Sequence, residues 1–448
     1  MLKIHFIAIG GAAMHNLALA LQKMGHQISG SDDEIYEPSK SLLQKNGLLP
    51  KEEGWHPEKI TADLDVVILG MHARADNPEL IRAQELNLNI QSYPSFLYEF
   101  SKNKQRIVVA GSHGKTSITS MILHVLKKLN RKFDYLVGAR IEGFELMAQL
   151  SDAPIIIIEG DEYLASPVDR RAKFLLYQPH IALISGIAWD HINVYPTFES
   201  YTDSFKNLIQ ALPKAGTLIF DETDELLNKL SQLAQEDVAK LPYDSHPATI
   251  KEGKTTLKGM DGKQYPISVF GSHNLKNLNG ARLVCEQIGI EASEFYEAIQ
   301  DFKGAAKRLE LVKDSGQSVI YKDFAHAPSK VKATTEAVKN QFPNRKLIAC
   351  LELHTFSSLN PAFLPQYEGT LKAADEAVIY LSEHAREIKK MDKIEEDTVQ
   401  KYFKHPHLQV IRDKDALKLY LDAKNWKDCN LLMMSSGTFD QLDFTHLG

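Results

Sequence analysis

Ile107-Val-Val-Ala-Gly111-Ser-His-Gly114-Lys115-Thr116-Ser-Ile118 is the stretch on which the fold turns. A β-branched apolar run leads into a glycine-rich hexad, and Ile118, Met121, Ile122, Val125 and Leu129 then recur at helical spacing. Strand, tight loop and helix in that order bring loop N–H groups and a helix N-terminus to one point, where they can surround a phosphate. Lys115 can meet the β- and γ-phosphates, and Thr116 can hold Mg²⁺. The loop is a shortened one, because the wider common spacing needs glycine at Val109. An ordinary GTPase or motor ATPase is therefore a poorer reading.

The same alternation extends outward. Residues 4–9 are apolar and end at Gly10-Gly11, after which Met14, Leu17, Ala18, Leu21 and Met24 repeat at helical spacing until Gly25. Further strands are expected before Ser31-Asp32, at Asp65–Leu69, at 154–158, 181–184 and 217–220, with helices near 197–212 and 274–288. Residues 250–270 read as an irregular, Lys/Gly-rich β region. From Val319 the alternation resumes through strands near 346–351, 376–381, 408–411 and 430–434. The polar stretches 101–106 and 303–317 read as linkers. The expected class is α/β in three domains: a Rossmann-like 1–104, a central 105–307 with the phosphate loop on a parallel sheet, and a Rossmann-like 308–448.

Bulk properties agree. At about 150 residues per domain, 448 residues suit roughly two to four domains, with three the middle of that range. Apolar residues at 44% and charged residues at 25% allow large cores. A net charge of −6, evenly spread, argues against a nucleic-acid partner. Cys285, Cys350 and Cys429 form neither a metal knuckle nor a disulfide framework, so a reducing cytoplasm is expected. No window holds 18 uncharged apolar residues, so no membrane span is expected.

Other segments carry chemistry. Glu159 opens Glu159-Gly-Asp161-Glu162-Tyr after four isoleucines, at the carboxyl end of a buried strand, where ligands and metals sit in doubly wound sheets. Asp190-His191 follows the 181–184 strand at the same edge, and a neutral imidazole can ligate Mg²⁺ or Mn²⁺. Gly271-Ser-His273-Asn274-Leu-Lys-Asn277 starts a helix; a Ser cap explains part of it, while two Asn amides could read an adenine edge. In Lys307-Arg308-Leu-Glu310 the arginine could neutralise transferring phosphate charge. Asp323-Phe-Ala-His326-Ala327-Pro328 lies between strand and helix, where a helix cap is the plain alternative. Gly10-Gly11 matches G-x-G-x-x-G only partly, because Ala8 and Ala13 fill the outer positions, which disfavours a nicotinamide enzyme. Asp32 stands where a carboxylate can hold a ribose hydroxyl, so a nucleotide diphosphate fits.

Taken in chain order, these segments resemble the Mur ligase family, the ATP-dependent amide-forming enzymes of peptidoglycan precursor synthesis. The resemblance implies a first domain for a UDP-sugar, a central one for ATP, and a last one that brings the amine. It gives Gly111, Ser112, His113, Gly114, Lys115, Thr116 and Ser117 to the phosphates, and His273, Asn274 and Asn277 to adenine. Arg308 and Asp323 match the linker arginine and a nucleotide-contacting aspartate; Thr116, Glu159 and His191 would hold Mg²⁺. Lys115, Arg308 and His191 carry the catalytic roles. Gly10, Gly11, Asp32 and His72 would contact the UDP-sugar, and Arg171, His326 and His354 the amine substrate. The implied partners are ATP, UDP-N-acetylmuramate and an amino acid or short peptide.

Asp169-Arg-Arg171-Ala-Lys173-Phe174 looks like a D-x-R-x-K-F segment of the branch that attaches the tripeptide L-Ala-γ-D-Glu-meso-diaminopimelate to UDP-N-acetylmuramate. Leu353-His354-Thr-Phe-Ser-Ser lacks the arginine that the alanine-adding branch places after its histidine. Ala327 stands where both branches usually show a second histidine, and Lys206 falls near a lysine that other branches carbamoylate. The alternatives are addition of L-alanine, folylpolyglutamate-type addition of glutamate, and a nucleotide-gated binding protein.

Overall fold

Among the described residues, apolar runs and glycine turns fold into four sheets. The structure, a computed structural model, describes residues 1–71, 73–189, 194–304 and 308–448. They fall into two units, Met1–Asp244 with Lys276–Ala298, and Ser245–Leu275 with Ile299–Gly448. Residues 245–275, expected in the central domain, group with the second unit.

The first unit opens with a parallel four-stranded sheet in the order Gln27–Ser31, Lys3–Ile7, Val66–Leu69, Ile90–Ser92. Phe6, Ile7, Val67, Ile68 and Leu69 are fully buried, as a strand covered on both faces requires. Its second sheet has seven strands. The loop strand Gln105–Ala110 lies at its centre, paired in parallel with Ile155–Glu159 on one side and Ile181–Ile184 on the other. Because the chain departs to opposite sides of this strand, its carboxyl end is a topological switch point, where a crevice opens between strand ends. Register places Val109 beside Glu159 and Ala110 beside Ile184, so Gly111, Glu159 and Ser185 emerge together.

The loop helix Lys115–Lys128 starts because Gly114 takes a left-handed cap that permits the turn. Lys127 and Lys128 favour its carboxyl end through the helix dipole. Ile118, Met121, Ile122, Val125 and Leu126 bury the inner face, each worth about 1.5–3 kcal/mol relative to exposure. Changing Ile122 to aspartate would strand a charge there. One apolar core, including Ile4, Phe6, Val108, Ile158 and Phe220, runs under both sheets of this unit.

In the second unit, Ala248–Lys251, Lys254–Lys258 and Gln264–Ile267 make an antiparallel sheet. Its first hairpin closes through Glu252 and Gly253, both left-handed, the conformation a two-residue hairpin turn needs. The remaining sheet orders Glu310–Asp314, Val319–Asp323, Cys429–Met434, Lys346–Glu352, Glu376–Tyr380 and Leu408–Ile411. The 303–317 linker expectation needs correction, since Glu310–Asp314 is an antiparallel edge strand. Its charged ends suit an edge, which charge protects from pairing with other chains.

All three cysteines are buried and free. Among the described residues no helix is long and apolar enough to cross a membrane.

Candidate active site

The phosphate loop has the shape its glycines allow. Gly111 has φ +122°, and a Cβ there would lie 2.8 Å from the Ser185 backbone N; Gly114 has φ +75°, and a Cβ there would lie 2.4 Å from Asn277 Oδ1. Asn277, far along the chain from the second glycine, therefore abuts the loop. The Ser112 N–H donates to the Gly186 carbonyl at 3.0 Å. Its hydroxyl accepts from Ala188 N–H at 2.8 Å and shares a 2.8 Å hydrogen bond with the Tyr201 hydroxyl. Ser185 donates to the Ala110 and His113 carbonyls, tying the loop to the neighbouring strand end. Ser117 follows in the first helical turn.

Two acids from the Glu159 segment meet this loop. Thr116 Oγ1 donates to Glu159 Oε1 at 2.8 Å, and the Gly138 N–H donates to Glu159 Oε2 at 2.9 Å. Lys115 Nζ donates to the Gly111 carbonyl at 2.6 Å and to Glu162 Oε2 at 2.9 Å. Asp161 instead pairs with Lys173 at 2.8 Å. The structure thus brings Lys115, Thr116, Glu159 and Asn277 together. His191, Lys307 and His72 lie outside the described residues. Among those described, no three His, Cys, Asp or Glu side chains cluster to hold a metal. Mg²⁺ nevertheless needs only one or two carboxylates when phosphates and water complete its shell, so hard oxygens from Thr116 and Glu159 fit it.

The first sheet presents a second glycine turn. Asp32 Oδ2 accepts from the Gly10 N–H at 2.7 Å, and a Cβ on Gly10 would lie 2.8 Å from that oxygen. Asp32, expected to hold a ribose hydroxyl, here ties down the turn. Burial, aided by Asp33, raises its carboxyl from 3.8 to about 6. Ala8 takes φ +69°, the conformation a glycine of the dinucleotide turn would take. Gly11 caps the helix Ala12–Lys23, and its carbonyl accepts from the His15 N–H at 2.9 Å. Asn16 Oδ1 accepts from the Met147 N–H at 2.8 Å, joining this helix to the segment beside the second sheet.

In the second unit Asn274 Nδ2 donates to the Phe270 carbonyl at 2.9 Å, and burial lowers His273 to about 4, keeping its imidazole neutral. The Arg308 guanidinium stacks 4.9 Å from the centre of the Phe324 ring. Buried Asp323 accepts from the Leu309 N–H and from the Ala325 N–H at 2.6 Å; burial raises it to about 6, against the pull of Arg308. His326 holds its own segment, with Nδ1 2.8 Å from the Phe324 carbonyl, and Ala327 is the extended N-cap of the helix Pro328–Gln341.

His354 lies beside buried Glu352, and desolvation lowers its pKa. With Glu352, Ile388, Lys389, Thr438, Asp440 and Gln441 it lines a cavity of about 390 Å³. In the first unit Arg171 is mostly exposed and pairs with Asp169 at 2.7 Å. Lys206 is half-buried on the helix Phe198–Gln210.

Sequence reasoning did not assign Ser185, Tyr201, Gly138, Asn16 or Glu162 to the site. Ser185 could have been found, since it follows a predicted strand at the same edge. Tyr201 and Asn16 give no local signal, because only tertiary packing brings them in.

Known proteins define the class. The profile of the Mur ligase middle domain matches residues 109–285, and that of the Mur ligase family catalytic domain matches residues 3–105. A UDP-N-acetylmuramate–L-alanine ligase of Sulfurihydrogenibium sp. is 30% identical over 367 residues, 81% of this chain and 78% of that protein. The UDP-N-acetylmuramate–L-alanyl-γ-D-glutamyl-meso-2,6-diaminoheptandioate ligase of Escherichia coli is 28% identical over 78% of this chain and 79% of its own length. A solved UDP-N-acetylmuramate–alanine ligase of Thermotoga maritima superposes with TM-score 0.69 at 20% identity, covering 98% of this chain and 97% of its own. A murein peptide ligase of Psychrobacter arcticus gives 0.63 at 22% identity, covering 99% and 97%. These two likenesses establish the fold, three domains of α/β type. The protein is an ATP-dependent ligase. The chain belongs to the Mur ligase family.

Proposed function

We propose that the protein joins the lactoyl carboxylate of UDP-N-acetylmuramate to the amine of L-Ala-γ-D-Glu-meso-diaminopimelate, in peptidoglycan recycling in the cytoplasm. Residues 1–104 take the UDP-sugar at the Gly10-Gly11 turn and Asp32, residues 105–307 take ATP, and residues 308–448 bring the amine. The observation that carries the ATP assignment is the convergence of Lys115, Thr116 and Glu159 at the end of the loop strand. Mg²⁺ would be held by Thr116 and Glu159, with His191 the further residue the family resemblance gives, and would neutralise phosphate charge.

The chemistry is a carboxyl activation. A carboxylate oxygen attacks the γ-phosphorus and ADP leaves; the amine nitrogen then attacks the acyl carbon and phosphate leaves. Phosphoryl transfer asks the protein for positioning and charge neutralisation, which Lys115 and Arg308 supply, and needs no nucleophilic side chain.

The tripeptide is favoured by the Asp169–Arg171 pair in its D-x-R-x-K-F setting and by the roughly 390 Å³ cavity at His354. That space is more than a whole L-alanine molecule would fill and falls in the ordinary range of small-molecule pockets. The second reading, addition of L-alanine, is favoured by the names of relatives such as the Aquifex aeolicus and Sulfurihydrogenibium proteins. Phosphate release measured with ATP, Mg²⁺ and UDP-N-acetylmuramate, adding each amine in turn, separates them. Tripeptide-dependent release is expected, and release driven by L-alanine alone would hand the assignment to the second reading.

A further inference from the structure

Glu162 belongs to the acidic segment after the isoleucine strand, yet neither metal nor substrate binding gives it a task. Its side chain is 1% exposed. A lysine ammonium has three N–H donors and no acceptor. Lys115 directs one to the Gly111 carbonyl and one to Glu162 Oε2, at 2.6 and 2.9 Å. The carboxylate is itself fixed by protein: the Tyr201 hydroxyl lies 3.4 Å from Oε1, and the Tyr195 hydroxyl donates to the Glu162 carbonyl at 2.5 Å. Tyr201 also shares its 2.8 Å hydrogen bond with Ser112, so loop, acid and helix form one buried network.

We propose that Glu162 is a positioning residue for phosphoryl transfer, holding Lys115 Nζ against the loop so that its third N–H is left for a phosphate oxygen. A lysine stem is long and flexible, and a charge-assisted hydrogen bond donated to a buried carboxylate removes that freedom before nucleotide arrives. Protein kinases use the same division of labour, in which a Lys–Glu ion pair must be formed for transfer. An acid so near the phosphates also lowers the net pull of Lys115. Losing it therefore loosens the aim of the ammonium while strengthening its bare attraction for phosphate; the two changes oppose one another in ATP affinity, and the effect falls on kcat.

The inference rests on the loop being the ATP site, and the test separates the two. Glu162→Gln is expected to lower kcat about 30-fold, with KM for ATP and affinity for ADP changing less than threefold. In ³¹P spectra of bound ADP the β-phosphorus resonance should move between wild type and Glu162→Gln while the α-phosphorus stays. In the Lys115→Ala background the same substitution should move neither. Tyr201→Phe, which keeps the ring and removes the hydroxyl, should lower kcat a few-fold and serves if Glu162→Gln does not fold. Wild-type kcat and unmoved β-phosphorus in a folded variant, with melting temperature alone reduced, would make Glu162 a merely structural acid and overturn the proposal. Failure of the wild-type protein to bind ADP would instead remove the ATP assignment of the loop.

Discussion

The first unit contains two versions of one device, a parallel strand, a glycine turn and a helix, and the two differ in where their acids go. At Gly10 the acid bonds the turn itself, Asp32 Oδ2 accepting from Gly10 N–H. At Gly111 the acids bond side chains instead, Glu159 meeting Thr116 and Glu162 meeting Lys115. A turn braced by its own acid, without a lysine, suits a diphosphate carried by a sugar nucleotide. A turn that presents a braced ammonium and a hydroxyl suits a phosphate that must be transferred. Backbone geometry is thus shared, and on the proposed function it is the side chains that divide binding from chemistry.

Substitutions can break this division. The largest effect is expected from Lys115→Ala, which should cut phosphate release about a thousandfold while UDP-sugar affinity, read by calorimetry, changes little. Equal loss of both would mean that the turns do not act separately. Next come the glycines. Gly111→Ala forces a Cβ against the Ser185 backbone at positive φ and should weaken ADP about 100-fold, sparing the UDP-sugar. Gly10→Ala crowds Asp32 Oδ2 and should do the reverse. Titrations of both ligands against both variants would expose any crossover.

A smaller effect has a pH signature. The Asp32 pKa is about 6 in the fold and 3.8 when unperturbed, so the native state binds that proton more tightly. Its contribution to stability is present below about pH 4 and is lost as pH rises through 6. Relative to Asp32→Asn, wild type should lose on the order of 1–3 kcal/mol across that window in denaturant titrations. A constant gap would show that burial does not set this carboxyl. The smallest effect expected is from Asn16→Ala, which removes the hydrogen bond to Met147 N–H and should cost about 1 kcal/mol in the same titrations.

Much of this arrangement was legible in the sequence because it is local. Gly111 to Thr116 is contiguous, and Glu159 announces itself as the first charge after four isoleucines. Alternation gave the parallel strands, because strands buried on both faces are apolar throughout. Glu310–Asp314 was hidden by its charged ends, which an edge strand tolerates and a linker also shows. The pairing of Glu162 with Lys115 spans 47 residues and depends on two strand ends meeting, so the sequence displayed the acid without its partner. Asp32 was placed correctly at a strand tip, but its bond to Gly10 needed coordinates.

The central claim is that the phosphate gripped by the Gly111 loop passes to the carboxylate of the sugar nucleotide before the amine reacts. UDP-N-acetylmuramate labelled with ¹⁸O in its lactoyl carboxylate tests this in a single turnover assay, with the released phosphate read by mass spectrometry. Transfer of one ¹⁸O to each phosphate is predicted; phosphate free of label, formed together with the amide product, would contradict the account.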